Sequence, residues 1–264
     1  MVDRLTLAGV VLLGAVLPAG CVSESSSPGW FEQHFRGSTW SDAWHQQFQE
    51  AGQYLPETTE LAALISVAFE DRGLQRRLAR DPVFTSKDTT IGDLGQFALL
   101  GASFGLGGVN LAAGDRGRSL EVVAESTLLT GLLTSVLKVT VRRKRPQSGS
   151  RTSFPSGHAS ESFAAATFLA RSLGGARPGP FQWFGYLFYV PAVAVAFNRV
   201  EGSRHFPVDA AAGALLGTLV TNLVYNAHFG RPDEGQPGLF TGRDWHLEPL
   251  VEPRGFGFAF VRGF

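Results

Sequence analysis

Three short polar signatures stand in order within otherwise apolar, helix-like sequence between Lys138 and Asp209. The first is Lys138, six residues, then Arg145-Pro146. The second is Pro155-Ser156-Gly157-His158, and the third is Arg199, five residues, His205, three residues, Asp209. Together they supply three cations, two imidazoles and one carboxylate. That inventory suits gripping a tetrahedral oxyanion and attacking it with nitrogen. A phosphate ester resists attack because its oxygens repel nucleophiles, so a catalyst has to neutralise that charge, align a nucleophile and protonate the leaving oxygen. Guanidinium groups grip phosphoryl oxygens bidentately and an ammonium adds a compact charge, which gives Lys138, Arg145 and Arg199 the anion-binding role. Ser156 and Gly157 precede a predicted helix, so their N–H groups and the positive helix end complete a cradle. Gly157 would leave room for close approach.

Two histidines remain for covalent chemistry. An imidazole attacks phosphorus when its other nitrogen is held by an acceptor. Asp209 lies four residues after His205, in the first turn of a predicted helix, from where a carboxylate reaches back to residues just outside the helix. It is expected to fix the tautomer of His205 and to stabilise a cationic phosphohistidine. His158, at the helix opening beside the cradle, is placed to protonate the leaving oxygen and later to activate water.

Lys138-x6-Arg145-Pro146, Pro155-Ser156-Gly157-His158 and Arg199-x5-His205-x3-Asp209 resemble, in order, the three motifs of the type 2 phosphatidic acid phosphatase and vanadium haloperoxidase superfamily. The resemblance covers roughly residues 92–228. Asn198 departs from it, standing where the family usually has serine before the arginine; amide and hydroxyl both donate and accept, so only an outer hydrogen bond is affected. The resemblance implies an all-α helical bundle and metal-free hydrolysis of phosphomonoesters or diphosphates through a phosphohistidine, with no cofactor. It makes His205 the nucleophile, His158 the acid and base, and Asp209 the orienting group. Lys138, Arg145, Ser156, Gly157 and Arg199 become the phosphate ligands.

The elements that must position these residues follow from apolar periodicity and its breakers. Glu60 to Arg80 reads as one amphipathic helix stopped by Asp81-Pro82. A second helix is expected from about Thr90 to Ala113. It is uncharged from Leu94 to Gly114, but its glycines and Gln96, Ser103 and Asn110 favour a helix buried in protein. A third runs from about Ser119 to Val141, where Glu121 and Glu125 make a lipid-facing role expensive. Pro155 to His158 opens a helix to about Leu173, ended by Gly174-Gly175, with Ser156 as N-cap. An uncharged aromatic helix from about Phe181 to Phe197 leaves Asn198-Arg199 at its end. Pro207 starts the last long helix, to about Ala227. These make one helical domain over residues 60–228.

Outside it, residues 1–21 have the layout of a signal peptide: Arg4, apolar Leu5 to Leu17, then small residues before Cys21. The stretch also resembles a lipoprotein signal, which would make Cys21 a lipidation site, although Pro18 stands where leucine is usual. Residues 22–59 begin as a Ser-rich tether and continue as an aromatic packing segment. Residues 229–264 carry Phe alternating with small residues, so two strands meeting near Pro253-Arg254-Gly255 are expected to form a small β-hairpin appendage.

Composition sets the remaining bounds. Among 264 residues Lys plus Arg equals Asp plus Glu, which gives no field for nucleic acid. The basic run Arg142, Arg143, Lys144 reads as a solvated face. The single cysteine excludes an intramolecular disulfide. No His, Asp and Glu cluster has metal-ligand spacing. The expected protein is an exported, soluble phosphatase domain of the periplasm or cell envelope, tethered to a membrane surface by its N-terminal segment. Its substrate would be a lipid phosphate, an isoprenyl diphosphate or a small phosphoester. A vanadate-dependent haloperoxidase and a non-catalytic envelope binding protein are the competing readings, and nothing in the sequence specifies an oligomeric state.

Overall fold

The computed structural model describes residues 40, 43, 55–68, 71–83, 89–174, 185–229, 245–252 and 255–262. The expected export segment, Cys21, the tether and most of the aromatic segment lie outside them. Seven helices are present among the described residues: α1 (Leu55–Ala68), α2 (Asp71–Arg80), α3 (Thr90–Ala112), α4 (Arg118–Val141), α5 (Gly157–Gly174), α6 (Tyr189–Glu201) and α7 (Pro207–Phe229). Strands β1 (Trp245–Glu252) and β2 (Gly255–Arg262) follow and pair antiparallel, with Glu252 opposite Gly255. The all-α bundle and its hairpin appendage are thus as expected.

Two boundaries differ from the periodicity. The single helix expected over Glu60–Arg80 is two helices, because α2 starts at Asp71, whose carboxylate is engaged by residues far along the chain. The helix expected to end at Phe197 continues to Glu201, so Arg199 is held within its last turn rather than beyond it.

α5 is the hub. It packs on α3, α4, α6 and, most extensively, α7. Ala159, Ala165 and Ala166 bring backbones close, while Phe168, Leu169, Val224 and Tyr225 fill the centre. Trp40 packs against this core from the N-terminal aromatic segment. The α5–α7 seam is tightest at two glycines. A Cβ at Gly213 would lie 2.5 Å from the Ser156 carbonyl oxygen, and one at Gly217 only 2.0 Å from that of Ser160.

α3 and α4 are built inside out. In α3 the polar Gln96, Ser103 and Asn110, spaced by seven, are buried, and Ser103 Oγ donates to the Ala165 carbonyl at 3.2 Å. Leu94, Phe97, Phe104 and Leu111 face outward, Phe97 at 68 % exposure. In α4 Ser119, Ser126, Thr130 and Thr134 turn inward, while Leu128, Leu132, Val136 and Val139 point out. α3 is therefore not the protein-buried helix its glycines and amides suggested. Nor do Glu121 and Glu125 stand against lipid: both face His228 of α7, Glu125 Oε2 at 2.9 Å from its Nε2. α3, α4 and α7 are each long and apolar enough to cross a membrane, by length and composition.

Because the seam admits no Cβ, Gly217→Ala should cost about 1–3 kcal/mol of stability through overpacking. A denaturant or thermal unfolding curve checks this, and an unchanged midpoint would mean that the seam can open without cost.

Candidate active site

The three signatures meet at one end of the bundle, formed by the C-terminal ends of α4 and α6 and the N-terminal ends of α3, α5 and α7. Asp209, wholly buried in the first turn of α7, holds them together. Its Oδ2 accepts from Ser153 Oγ at 2.6 Å and from the Phe206 N–H at 2.9 Å, and its Oδ1 accepts from Arg143 Nη1 at 2.7 Å. Its backbone carbonyl accepts the Ser156 N–H at 2.9 Å.

His205 is 2 % exposed, and its Nδ1 lies 2.6 Å from the Ser153 carbonyl oxygen. A carbonyl only accepts, so Nδ1 carries the proton and Nε2 keeps its lone pair. The tautomer expected of a nucleophile is therefore present, but its holder differs from the expectation. Asp209 Oδ2 stands 4.0 Å from Nδ1 and acts one step removed, by fixing Ser153 and the backbone beside His205. Burial pushes the His205 imidazole down to about 3, helped by the charge of Lys138, so the ring is neutral at any ordinary pH.

Ser156 is an N-cap, its Oγ accepting the Ala159 N–H at 3.5 Å. Its own N–H is taken by Asp209, so the expected cradle contracts by one donor. Helix geometry leaves the Gly157 and His158 N–H groups without intrahelical acceptors. A Cβ at Gly157 would meet Thr134 and Lys138 only at ordinary contact distances, so packing alone does not demand glycine there.

The expected cations converge. Lys138 Nζ donates to the Thr152 carbonyl at 3.1 Å and to that of Pro155, leaving one of its three donors for an anion. Arg145 Nε and Arg199 Nε are buried donors that meet no acceptor among the described residues. Arg204, which sequence reasoning passed over, adds its charge close to both guanidinium groups.

Three further residues went unrecognised. Asp93, in the first turn of α3, accepts from Arg199 Nη1 at 2.9 Å and lies 2.7 Å from His158 Nε2. Its signal was a lone acid at the start of a long uncharged run. Burial and the Arg199 charge lower the His158 pKa below that of an ordinary imidazole, and Asp93 opposes them. Arg143 is not the solvated charge that its basic run suggested. It pairs with Asp209 and with Asp71 of α2, and its guanidinium lies 4.2 Å over the Phe206 ring. Asp71 in turn accepts the Val208 N–H at 3.0 Å, Gln75 donates to Ser203 Oγ at 3.1 Å, and the Val83 N–H donates to Glu201 at 2.6 Å. α2 and the turn after it thus brace the loop that carries His205. Asn198, the departure from the family pattern, accepts the Gly92 N–H at 3.1 Å and fastens the first turn of α3 beside Arg199.

This arrangement can hold a tetrahedral anion between Lys138, Arg145, Arg199 and the α5 N-terminus, with His205 and His158 beside it. A family model described as the PAP2 superfamily matches residues 121–233. The decaprenylphosphoryl-5-phosphoribose phosphatase of Mycobacterium tuberculosis is 30 % identical over 143 residues, 51 % of this chain and 71 % of that protein. The chain belongs to the PAP2 superfamily. It is also 31 % identical over 109 residues to the lipid A 1-phosphatase of Porphyromonas gingivalis, covering 41 % of this chain and 24 % of that protein. The chain thus spans about a quarter of that relative, and 43 % of lipid phosphate phosphatase 1 of Arabidopsis thaliana. Among solved structures, Aquifex aeolicus LpxE matches with a TM-score of 0.44 and 21 % identity, over 59 % of this chain and 94 % of that one.

Two expectations follow. Arg143→Ala leaves the buried Asp209 carboxylate without its cation, so it should lower stability by roughly 2–4 kcal/mol, with Arg143→Lys in between; unfolding curves beside the wild type check this. His205 takes up a proton only near pH 3, whereas in the unfolded chain it does so near 6.5. The folded state therefore binds fewer protons between those values, and stability should fall as pH drops through that window. Part of that fall should disappear in His205→Ala, as unfolding at a series of pH values will show.

Proposed function

We propose that this protein is a phosphatase that cleaves a phosphomonoester or diphosphate of a lipid or isoprenyl compound through a phosphohistidine on His205. The observation that carries the proposal is the pair of buried guanidinium nitrogens, Arg145 Nε and Arg199 Nε, that meet no acceptor among the described residues, beside a neutral histidine protonated on Nδ1. Buried donors without partners are costly in a folded protein, and a phosphoryl group supplies the missing oxygens. The relatives support the substrate class, being named for phosphorylated lipid and decaprenyl compounds.

In the first step His205 Nε2 attacks phosphorus while the bond to the leaving oxygen breaks. His158 gives that oxygen a proton and becomes neutral. The developing negative charge on the phosphoryl oxygens is met by Arg145, Arg199, Lys138 and the α5 N–H groups. In the second step neutral His158 takes a proton from water, whose oxygen attacks phosphorus. Phosphate leaves and the Nε2 lone pair of His205 is restored. Ser153 holds the Nδ1 proton throughout, and Asp209 with Arg143 holds Ser153. Among the described residues no three His, Cys, Asp or Glu side chains converge as metal ligands would, and turnover is expected to persist in EDTA.

The inside-out helices support a seat in the membrane. α4 is about 36 Å long at 1.5 Å per residue, enough to cross a hydrocarbon layer of about 30 Å. Its outward apolar face and that of α3 would meet lipid, with the Glu121, Glu125 and His228 cluster satisfied internally. The envelope setting rests on residues 1–21.

Phosphate release from phosphatidic acid, undecaprenyl diphosphate and p-nitrophenyl phosphate tests the activity. His205→Ala should lose about 1000-fold or more with every substrate. His158→Ala should lose least with p-nitrophenyl phosphate, whose leaving group needs no proton. Equal losses with alkyl and aryl leaving groups would remove His158 from the acid role. Because His158 must enter protonated, kcat/KM should fall as pH rises through a pKa below the usual imidazole range. Asp93→Asn should shift that alkaline limb lower still, since Asp93 favours the charged ring.

A further inference from the structure

A second concavity of about 610 Å³ lies between the α1–α2 pair and the α6–α7 pair. Its walls include Ala63 and Val67 of α1, Leu74 and Leu78 of α2, and Phe163 of α5. On α6 it is lined by Val193, Ala196, Phe197 and Val200, and on α7 by Pro207, Ala210, Ala211 and Ala214. Each set recurs at three- and four-residue spacing, which is one stripe of a helix. None of the phosphate-binding or catalytic side chains is among the lining residues, and Asp209, two positions from both Pro207 and Ala211, points about 160° away from them around α7. The groove therefore backs onto the catalytic loop but does not extend the phosphate pocket.

We propose that this groove is a binding site for one hydrocarbon chain of a membrane lipid, separate from the site of hydrolysis. Three observations carry it. The alanines of α6 and α7 leave space where larger side chains would close the seam, and a volume of this size falls in the range of small-molecule sites, roughly 300–1,000 Å³. The one charged lining residue, Glu60, is 8 % exposed and accepts from Thr218 Oγ1 at 2.8 Å, so its carboxylate is bonded to α7. The groove is also continuous with an outward apolar strip on α6 and the turn before it: Val193 and Phe197 belong to both, and Leu187 and Val190 extend the strip with exposures of 57 % and 63 %. A chain in the surrounding bilayer has an apolar path from that strip inward, and access of this kind rests on the membrane seat proposed above. α1 and α2, which form the outer wall, precede the residues matched by the family model. α2 also carries Asp71 and Gln75, so an occupant packs against the helix that braces the His205 loop.

The test uses the full chain in phosphatidylcholine nanodiscs in which a minor fraction of the lipid carries a photoreactive acyl chain. Phosphatidylcholine is a phosphodiester and offers the hydrolytic site no terminal phosphate. After irradiation, peptide mapping should place saturable crosslinks on α1, α2 and the groove stripe of α6, alongside non-saturable ones on the outer faces of α3 and α4. Ala63→Trp and Ala211→Leu, each filling the groove from one wall, should lower the groove crosslinks by about tenfold and leave those on α3 and α4 unchanged. Wild-type crosslinks confined to α3 and α4 would overturn the site while sustaining the membrane seat. Groove crosslinks of equal strength in both variants, each with a wild-type melting curve, would overturn it as well. Absence of crosslinks anywhere would remove the membrane seat together with the site.

Discussion

A single buried carboxylate sets the geometry of the catalytic end. Asp209 has no exposed surface, and a carboxylate removed from water persists in a fold only when donors surround it. The donors come from three separate places: Arg143 after α4, Ser153 before α5, and the backbone at Phe206 before α7. Satisfying one side chain therefore draws together the three segments that carry the motifs. The Asp209 carbonyl adds a fourth tie, to the N-cap of α5. The position of His205 is a by-product of this closure, because the Ser153 residue that serves Asp209 through its hydroxyl serves His205 through its carbonyl.

The same logic separates the cations of the site into two kinds. Arg143 is consumed by Asp209 and Asp71 and holds the structure, whereas Arg145 and Arg199 keep donors in reserve. Four cationic side chains gathered around one small volume repel one another, which is a standing cost in the absence of an anion. That cost would be relieved by the tetrahedral dianion proposed as the occupant. Asp93 relieves part of it by sitting between Arg199 and His158.

Much of the site was legible in the sequence, because the motif residues have types and spacings that few other chemistries need. Lys138, Arg145, His158, Arg199, His205 and Asp209 all come to one end. What was not legible depends on partners distant in the chain. Arg143 sits between Arg142 and Lys144, and nothing local distinguishes it; Asp71, 72 residues earlier, does. The direct Asp209–His205 bond failed for a similar reason, since Ser153 took up both groups. The seven-residue spacing of Gln96, Ser103 and Asn110 was present in the sequence but read with the wrong sign. Polar residues at one helical phase mark the inward face when the outside is apolar, and the Leu and Phe residues between them then face out. Helix ends were readable where Pro or Gly punctuates, as at Gly174. The end of α6 was expected four residues early although Gly202 caps it, because Arg199 and Glu201 interrupt the apolar run before the helix stops.

The catalytic side chains lie at one end of helices long enough to cross a bilayer, and the Glu121, Glu125 and His228 clamp lies towards the other. With the membrane seat and lipid substrate proposed above, chemistry arranged in this way would be sided. A phosphorylated headgroup in one leaflet would reach His205, while the same molecule in the opposite leaflet would be separated from it by the thickness of the hydrocarbon. Once the near leaflet was depleted, the rate of dephosphorylation would pass from the enzyme to whatever moves headgroups across the membrane. The protein would then work as a rectifier, making transbilayer movement of its substrate effectively one-way.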